Sequence, residues 1–253
     1  MKRERFPVAQ SCFVEKLEHY LPLTDYEKES LAVLEDNPAD IPAGQAIFEE
    51  GHPCGALFVL RQGRVFSASM VQGGERQILK LYYPGDIVGT ANVTFVDATA
   101  SAVAAIDSVV CRFPRSALKQ IFITHPRLAA LFYAIGMLEN VALADRLKSI
   151  GRTDGKARIA ALLLDIFARA RITDRAMGNS MELKLTQTDI GDAVGLTQIH
   201  VNRLLREMTE QGFIARDGRI VTLLDEQGMA AHCDFINRHA RIDTSWFPEP
   251  AQR

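Results

Sequence analysis

The stretch LTQTDIGDAVGLTQIHVNRLLREM, residues 185–208, can be folded in few ways. Thr186 followed three residues later by Asp189 has the spacing of a capping box, which satisfies the orphan amides at a helix start. Ile190, Ala193 and Val194 then supply one apolar face of a short helix. Gly195 follows, the residue that takes positive φ most easily and so allows a sharp corner. Thr197 is placed to cap a second helix. At 100° per residue Val201, Leu204, Leu205 and Met208 fall on one side of that helix. Two short helices around a glycine corner predict a helix-turn-helix.

The opposite side of the second helix carries Gln198, Ile199, Asn202, Arg203 and Arg206, flanked by Glu207. A guanidinium can hold guanine O6 and N7 in two bonds, an amide matches the adenine edge, and an aliphatic chain packs on a thymine methyl. That set suits the major groove. The plain alternative is a solvated helix in which Arg203 and Arg206 merely pair with Glu207 or Glu210. The residues downstream favour the groove. After QGFI comes ARDGRIVTLL, where Asp217-Gly218 between strand-like flanks predicts a tight hairpin. A helix-turn-helix with a hairpin behind it is a winged helix, and Arg216 and Arg219 on the wing would meet phosphates. Such contacts fix register without reading sequence. The candidate DNA contacts are Thr186, Thr197, Gln198, Ile199, His200, Asn202, Arg203, Arg206, Arg216 and Arg219.

Upstream the texture differs. Phe13, Leu17 and Tyr20 stand at helical spacing in a lead-in over residues 1–40. From Ile41 come short strand-like runs: AIFEE, ALFVL, RVFSASMV, RQILKLYY, DIVGTANVTFV, TASAVAAI and SVVCRF. Glycines punctuate them, and Gly73-Gly74 is a hairpin signal. Many short strands ending near Phe113 predict an antiparallel barrel or sandwich. From Arg115 the pattern is helical. Leu128, Leu131, Ile135, Leu138 and Ala142 alternate by three and four, the seam of a helix packed lengthwise on a partner. That seam fails at Asp145, where the apolar set slips to Leu143, Leu147 and Ile150. Self-pairing through the seam is the expectation, packing on its own domain the alternative. GRTDG reads as a hinge with Asp154 capping the next helix, TDRAMGNSM as a loop, and MAAHCDFINRHARI as a final helix before a loose SWFPEPAQR. The fold class is α+β. The expected domains are residues 1–125 (lead-in and β sensor), 126–150 (dimerisation helix) and 151–253 (winged helix and tail).

Composition limits the rest. The 253-residue chain carries a formal net charge of −2, so a polyanion must be met by a local basic patch. No apolar run is read as long enough to cross a bilayer, and MKRERFPVAQ lacks the apolar stretch of a secretory signal. Cys12, Cys54, Cys111 and Cys233 are too scattered for a disulfide framework or zinc site and fit free thiols in a reducing cytoplasm. No metal spacing, nucleophile–base motif or phosphate loop points to an enzyme.

Taken together, IPAGQAIFEEG, the Gly63 of LRQGRV, YYPGDIVG, the long helix and LTQTDIGDAVGLTQIHVNRLLREMTEQGFI resemble the CRP/FNR family of bacterial transcription regulators, from about Leu21 to Leu224. The resemblance implies a cyclic-nucleotide-binding-type β-roll, a parallel homodimer along the long helix, a DNA-binding winged helix and contact with RNA polymerase. Gln198, Ile199 and Arg203 match the family's base-contacting positions, and QIHVNR resembles the subgroup with HVNR in its reading helix. Gly85, Asp86, Gly89, Thr90, Thr99 and Ser101 occupy the places of an effector site.

The departures concern the effector. Members that bind cyclic AMP place an acid shortly after the PGD-x-x-G turn and an arginine further on. Here Thr90 follows Gly89, and residues 87–111 hold no Lys or Arg to neutralise a phosphate. Cyclic AMP is therefore not expected. Neither is the iron–sulfur cluster of the oxygen-sensing branch, since Cys12 stands alone near the start. Haem has no motif in support, with His19 and His52 as the available ligands. The expectation is a homodimeric DNA-binding regulator without cofactor, in the cytoplasm. A ligand-binding module acting on a partner protein, with the helix-turn-helix used for packing, is the competing reading.

Overall fold

Strand β3 (Ala56–Gln62) explains how the front of the chain is layered. Its residues alternate between two apolar cores: Ala56, Phe58 and Leu60 face one, Leu57 and Val59 the other. A strand covered on both faces needs no polar positions, which is why ALFVL reads as an unbroken apolar run. The computed structural model describes residues 11–251. MKRERFPVAQ, and with it the expectation of no secretory signal, lies outside the described residues.

Two four-stranded antiparallel sheets form the β part. One has the order β1 (Pro38–Ile41), β8 (Ser108–Pro114), β3, β6 (Ile87–Val88); the other runs β2 (Ala46–Phe48), β7 (Ser101–Ala104), β4 (Val65–Met70), β5 (Arg76–Tyr82). Phe58, Leu60, Val65, Tyr82, Val88, Ala102 and Val110 fill the interior, with Ile47 and Phe48 packed against them. The outer face of β3 and β8 is covered by α1 (Cys12–Glu18), α2 (Asp25–Ala32), α3 (Arg115–Thr124) and the start of α4 (Pro126–Arg152), through Phe13, Leu17, Leu31, Ile121, Leu128 and Leu131. Gly63 turns the chain between β3 and β4 at φ +100°, and a Cβ there would lie 2.2 Å from Ser108 Oγ, so only glycine fits. Gly74 N–H donates to Val71 O at 2.9 Å, closing the β4–β5 hairpin expected at Gly73-Gly74.

The expected strand over DIVGTANVTFV is cut short. Only Ile87–Val88 pairs; Gly89 then takes φ +85° and a 3-10 turn follows over Thr90–Val93. Strand β1 has no counterpart among the expected strands, because PADI is mostly exposed and carries no apolar alternation.

The second half contains α5 (Gly155–Thr173), β9 (Ser180–Glu182), α6 (Gln187–Val194), α7 (Gln198–Glu210), β10 (Ile214–Asp217), β11 (Ile220–Leu223) and α8 (Glu226–Cys233). Asp154 caps α5, accepting from Ala157 N at 2.8 Å. The loop expected over TDRAMGNSM gives up Ser180 and Met181 to β9, an edge strand paired with β11. Arg171 grips Glu226 with two bonds of 2.8 and 2.6 Å, tying α5 to α8. The final helix is shorter than expected and lies earlier, ending at Cys233, where Asp234 takes φ +51°.

The described residues part into two compact units, 11–74, 79–136 and 242–251 in the first, Glu75–Ile78 and Met137–Arg241 in the second. The tail from Ile242 thus groups with the β part, not with the winged helix as its sequence position suggested.

Helix α4 corrects two expectations. Leu128 and Leu131 are fully enclosed and Leu138 is nearly so, while Ile135 packs against the same core as Leu131 and Ala142 is half-buried. Three members of the expected dimer seam are therefore already consumed by the chain's own interior. Asp145 interrupts that row because it meets Arg238 at 2.7 Å. The other side of α4 is open: Tyr133, Met137, Val141, Leu143 and Leu147 are all exposed. By length and composition alone, the helix is also long and apolar enough to cross a bilayer. Polar and charged residues such as Glu139, Asn140 and Asp145 interrupt the apolar run in the sequence, so the apolar character of the whole helix emerges only once its bounds are known.

Candidate nucleic-acid interface

The first helix of the pair, α6, starts as its capping chemistry dictates. Thr186 Oγ1 accepts from Asp189 N at 3.0 Å, and Asp189 Oδ2 accepts from Thr186 N at 2.9 Å, which closes the box in both directions. At the far end Gly195 takes φ +70°, and Leu196 N–H donates to Gly191 O at 3.0 Å. Gly191 is the residue that the sequence pattern did not single out. A Cβ on it would lie 2.4 Å from Leu196 O, so the chain can double back over this helix only where glycine stands. The corner also rests on Gly155 at the start of α5, where a Cβ would lie 2.8 Å from Leu204 Cδ1.

Helix α7 is capped by Thr197, whose hydroxyl accepts from His200 N at 3.3 Å. Val201, Leu204, Leu205 and Met208 are buried, as the spacing predicted. Gln198, Ile199, His200, Asn202, Arg203 and Arg206 are all exposed, Ile199 to 84%. An aliphatic side chain left that bare contributes nothing to packing. Arg203 and Arg206 reach Glu207 and Glu210 only at 3.9 and 3.8 Å, loose surface pairs of a kind worth about 0–1 kcal/mol. Glu207 has another partner, since Lys156 Nζ donates to its Oε1 at 3.3 Å. The two arginines are thus held by little.

Beside this helix stands the hairpin of β10 and β11, joined in a three-stranded sheet by β9. Its register pairs Asp217 with Ile220, so Gly218 and Arg219 form the two-residue turn, one position later than read from the sequence. Gly218 has φ +57°, the conformation a glycine-first hairpin turn demands. Arg219 stands exposed at the tip, and Arg216 is half-buried on the strand before it. Within the same compact unit Arg76, at the start of β5, donates to Asp189 Oδ1 at 2.5 Å and Asp192 Oδ2 at 2.7 Å, so the acidic side of α6 is neutralised from within.

The members of the effector set have separate local partners. Gly85 at φ +84° turns against α1, where a Cβ would meet Cys12 O at 2.6 Å. Asp86 is committed to a buried ion pair with Lys16 and accepts from Tyr83 N at 2.7 Å. Thr90 and Thr99 are exposed, and Ser101 Oγ accepts from Glu50 N at 2.9 Å. Behind Gly89 stand Asn92 and Phe48; Asn92 is buried and donates to Cys54 Sγ at 3.0 Å. Gly85 and Asp86 therefore brace α1 against the roll. The exposed ring of His52 lies 3.2 Å from Glu50 O, and His19 sits edge-on to Tyr20. Among the described residues no three His, Cys, Asp or Glu side chains gather as a metal site would need. All four cysteines are free, and burial pushes the Cys111 thiol up to about 11, away from the reactive thiolate.

Comparison with known proteins matches this division of the chain. Residues 39–125 match the cyclic nucleotide-binding domain family, and residues 157–232 the Crp-like helix-turn-helix domain family. The anaerobic regulatory protein of Haemophilus influenzae is 24% identical over 220 residues, covering 87% of this chain and 85% of its own. The fumarate and nitrate reduction regulatory protein of Escherichia coli is 25% identical over 224 residues, covering 87% and 88%. Among solved structures, FixK2 from Bradyrhizobium japonicum superposes with a TM-score of 0.69 at 26% identity, covering 78% of this chain and 96% of that one. The c-di-GMP responsive regulator CLP of Xanthomonas campestris shares the fold, with a TM-score of 0.60 at 17% identity over 79% and 99%. A β-roll joined by a long helix to a winged helix-turn-helix, with relatives of this kind along most of its length, makes this chain a DNA-binding transcription regulator of the CRP/FNR family.

Proposed function

We propose that the protein acts in the cytoplasm as a homodimer that reads a pseudo-palindromic duplex through α7 and engages RNA polymerase from that site, with a β-roll that responds to something other than cyclic AMP. The observation that carries the reading is the bare face of α7, where Ile199, Asn202, Arg203 and Arg206 present apolar, amide and guanidinium groups outward. In this reading Gln198, Ile199 and Arg203 touch base edges, while Arg216 and Arg219 meet phosphates. Two such helices about a twofold axis would stand roughly 34 Å apart, one turn of the duplex.

The dimer seam moves to the open side of α4. Tyr133, Met137, Asn140, Ala144 and Leu147 follow one another by four, three, four and three residues, the heptad rhythm, and none is charged. A membrane role for α4 would set the β-roll and the winged helix on opposite sides of a bilayer, so pairing with a second α4 is the better use of its apolar surface. Against cyclic AMP stand the absence of Lys and Arg from 87–111, the buried Asn92 and the aromatic and aliphatic filling of the roll. Titration calorimetry with cyclic AMP is expected to show no saturable heat at micromolar concentrations.

The deciding experiment selects duplexes from a random pool with the full chain and then measures affinity against salt. The proposal expects recovered sites with two related half-sites and an affinity that falls steeply as salt rises. Recovery of no common sequence would overturn it in favour of a module that acts on a partner protein.

A further inference from the structure

The C-terminal tail holds the only tryptophan of the chain, and it is placed where packing does not need it. After α8 the tail re-enters the first unit, where Ile242 and Phe247 pack against the core that also buries Leu128 and Leu131. A small turn lies between these anchors: Ser245 N–H donates to Asp243 Oδ1 at 2.9 Å and Phe247 N–H to Thr244 O at 3.1 Å. The turn points Trp246 outward. Its ring meets Tyr133 edge-on at 6.4 Å and Phe247 at 4.7 Å, yet Trp246 remains 55% exposed and Tyr133 62%. Ordering a segment of chain costs conformational entropy, and here it leaves a large aromatic side chain half in water.

Tyr133 is also the first residue of the uncharged heptad stripe on α4. The aromatic pair therefore prolongs that stripe sideways with a residue from a distant part of the sequence. We propose that the tail turn is a second dimer contact, in which Trp246 and Tyr133 form an anchor against the same surface of a second copy of this chain. The inference rests on the α4 pairing proposed above. A second copy is the occupant that fits: the patch continues the stripe, the stripe carries no charge to recruit a nucleic acid or a charged protein face, and a twofold interface must be self-complementary. Tryptophan and tyrosine are the side chains that most often dominate such contacts.

Because Trp246 is the sole tryptophan, its emission reports on this contact directly. The full-length chain, free of DNA, is followed by sedimentation velocity and by acrylamide quenching across a dilution series. As dimer replaces monomer, Trp246 emission should shift to the blue and quenching should drop several-fold. Trp246→Ala should raise the dimer dissociation constant by at least about tenfold, with a melting temperature equal to the parent's at dilutions where both chains are monomeric. Equal quenching in monomer and dimer, or a Trp246→Ala dissociation constant within about twofold of the parent, overturns the tail contact. The double variant Met137→Glu, Leu147→Glu separates this from the underlying reading. If that variant remains dimeric, the α4 stripe fails; if it is monomeric while Trp246 is never shielded, only the tail contact fails.

Discussion

Helices α4 and α7 are both amphipathic, but they spend their second faces differently. Each buries a row of aliphatic side chains: Leu128, Leu131 and Leu138 in one, Val201, Leu204, Leu205 and Met208 in the other. What α7 leaves outside is mostly polar and cationic, with a single isoleucine. What α4 leaves outside is apolar again, from Tyr133 through Met137 and Val141 to Leu147. The first face is complementary to a hydrated, anionic surface with methyl groups at intervals; the second is complementary mainly to itself. Under the proposed function, chemistry on the exposed side is what would separate a reading helix from a pairing helix, since the buried sides are alike.

The largest effect that can break this comparison lies on the inner face of α4. Leu131→Glu would bury a charge in the core of the first unit, where even truncation to alanine costs about 2–5 kcal/mol. The expected outcome is loss of the cooperative melt, not a folded monomer. Met137→Glu with Leu147→Glu, on the outer face, should give the opposite result by sedimentation: a folded monomer with weakened duplex binding. Swapped outcomes would restore the seam read from the sequence. On α7, Arg203→Ala should cost roughly 1–3 kcal/mol of binding and relax preference at one base pair per half-site, measurable by competition with substituted duplexes. Thr186→Ala, which opens the capping box of α6, should lower the stability of the winged-helix unit by about 1 kcal/mol in urea denaturation. The smallest change is expected from Arg219→Ala at the wing tip, which should weaken all duplexes alike and lower the salt slope by about one.

The winged helix is legible in the sequence because its determinants are local. Thr186, Asp189, Gly195 and Thr197 act on amides within three or four residues, and the apolar row of α7 stands out against polar neighbours. Even there Gly191 gives no local signal, since its need for glycine comes from the carbonyl of Leu196 on the returning chain. The seam on α4 is misread for a physical reason. Periodicity marks which residues share a face, but α4 is apolar on two faces, and only tertiary packing decides which one the chain uses itself. The PGD turn shows the same limit over longer range: Asp86 is bound by Lys16, seventy positions away, and no reading of YYPGDIVG could find that partner. The front strands are visible by texture, apart from β1, whose PADI lacks the pattern, and the 3-10 turn at Thr90, which a helix-like or strand-like composition does not announce.

The bareness of Ile199 also bears on how such a regulator changes its targets. Its side chain, with those of Gln198, Asn202 and Arg203, supports no part of the interior, whereas the corner at Gly191 and Gly195 fixes where they stand. If α7 reads bases as proposed, target preference and fold would be inherited through separate sets of positions. A lineage can rewrite the first set freely, provided it leaves two glycines and a row of four aliphatic residues alone.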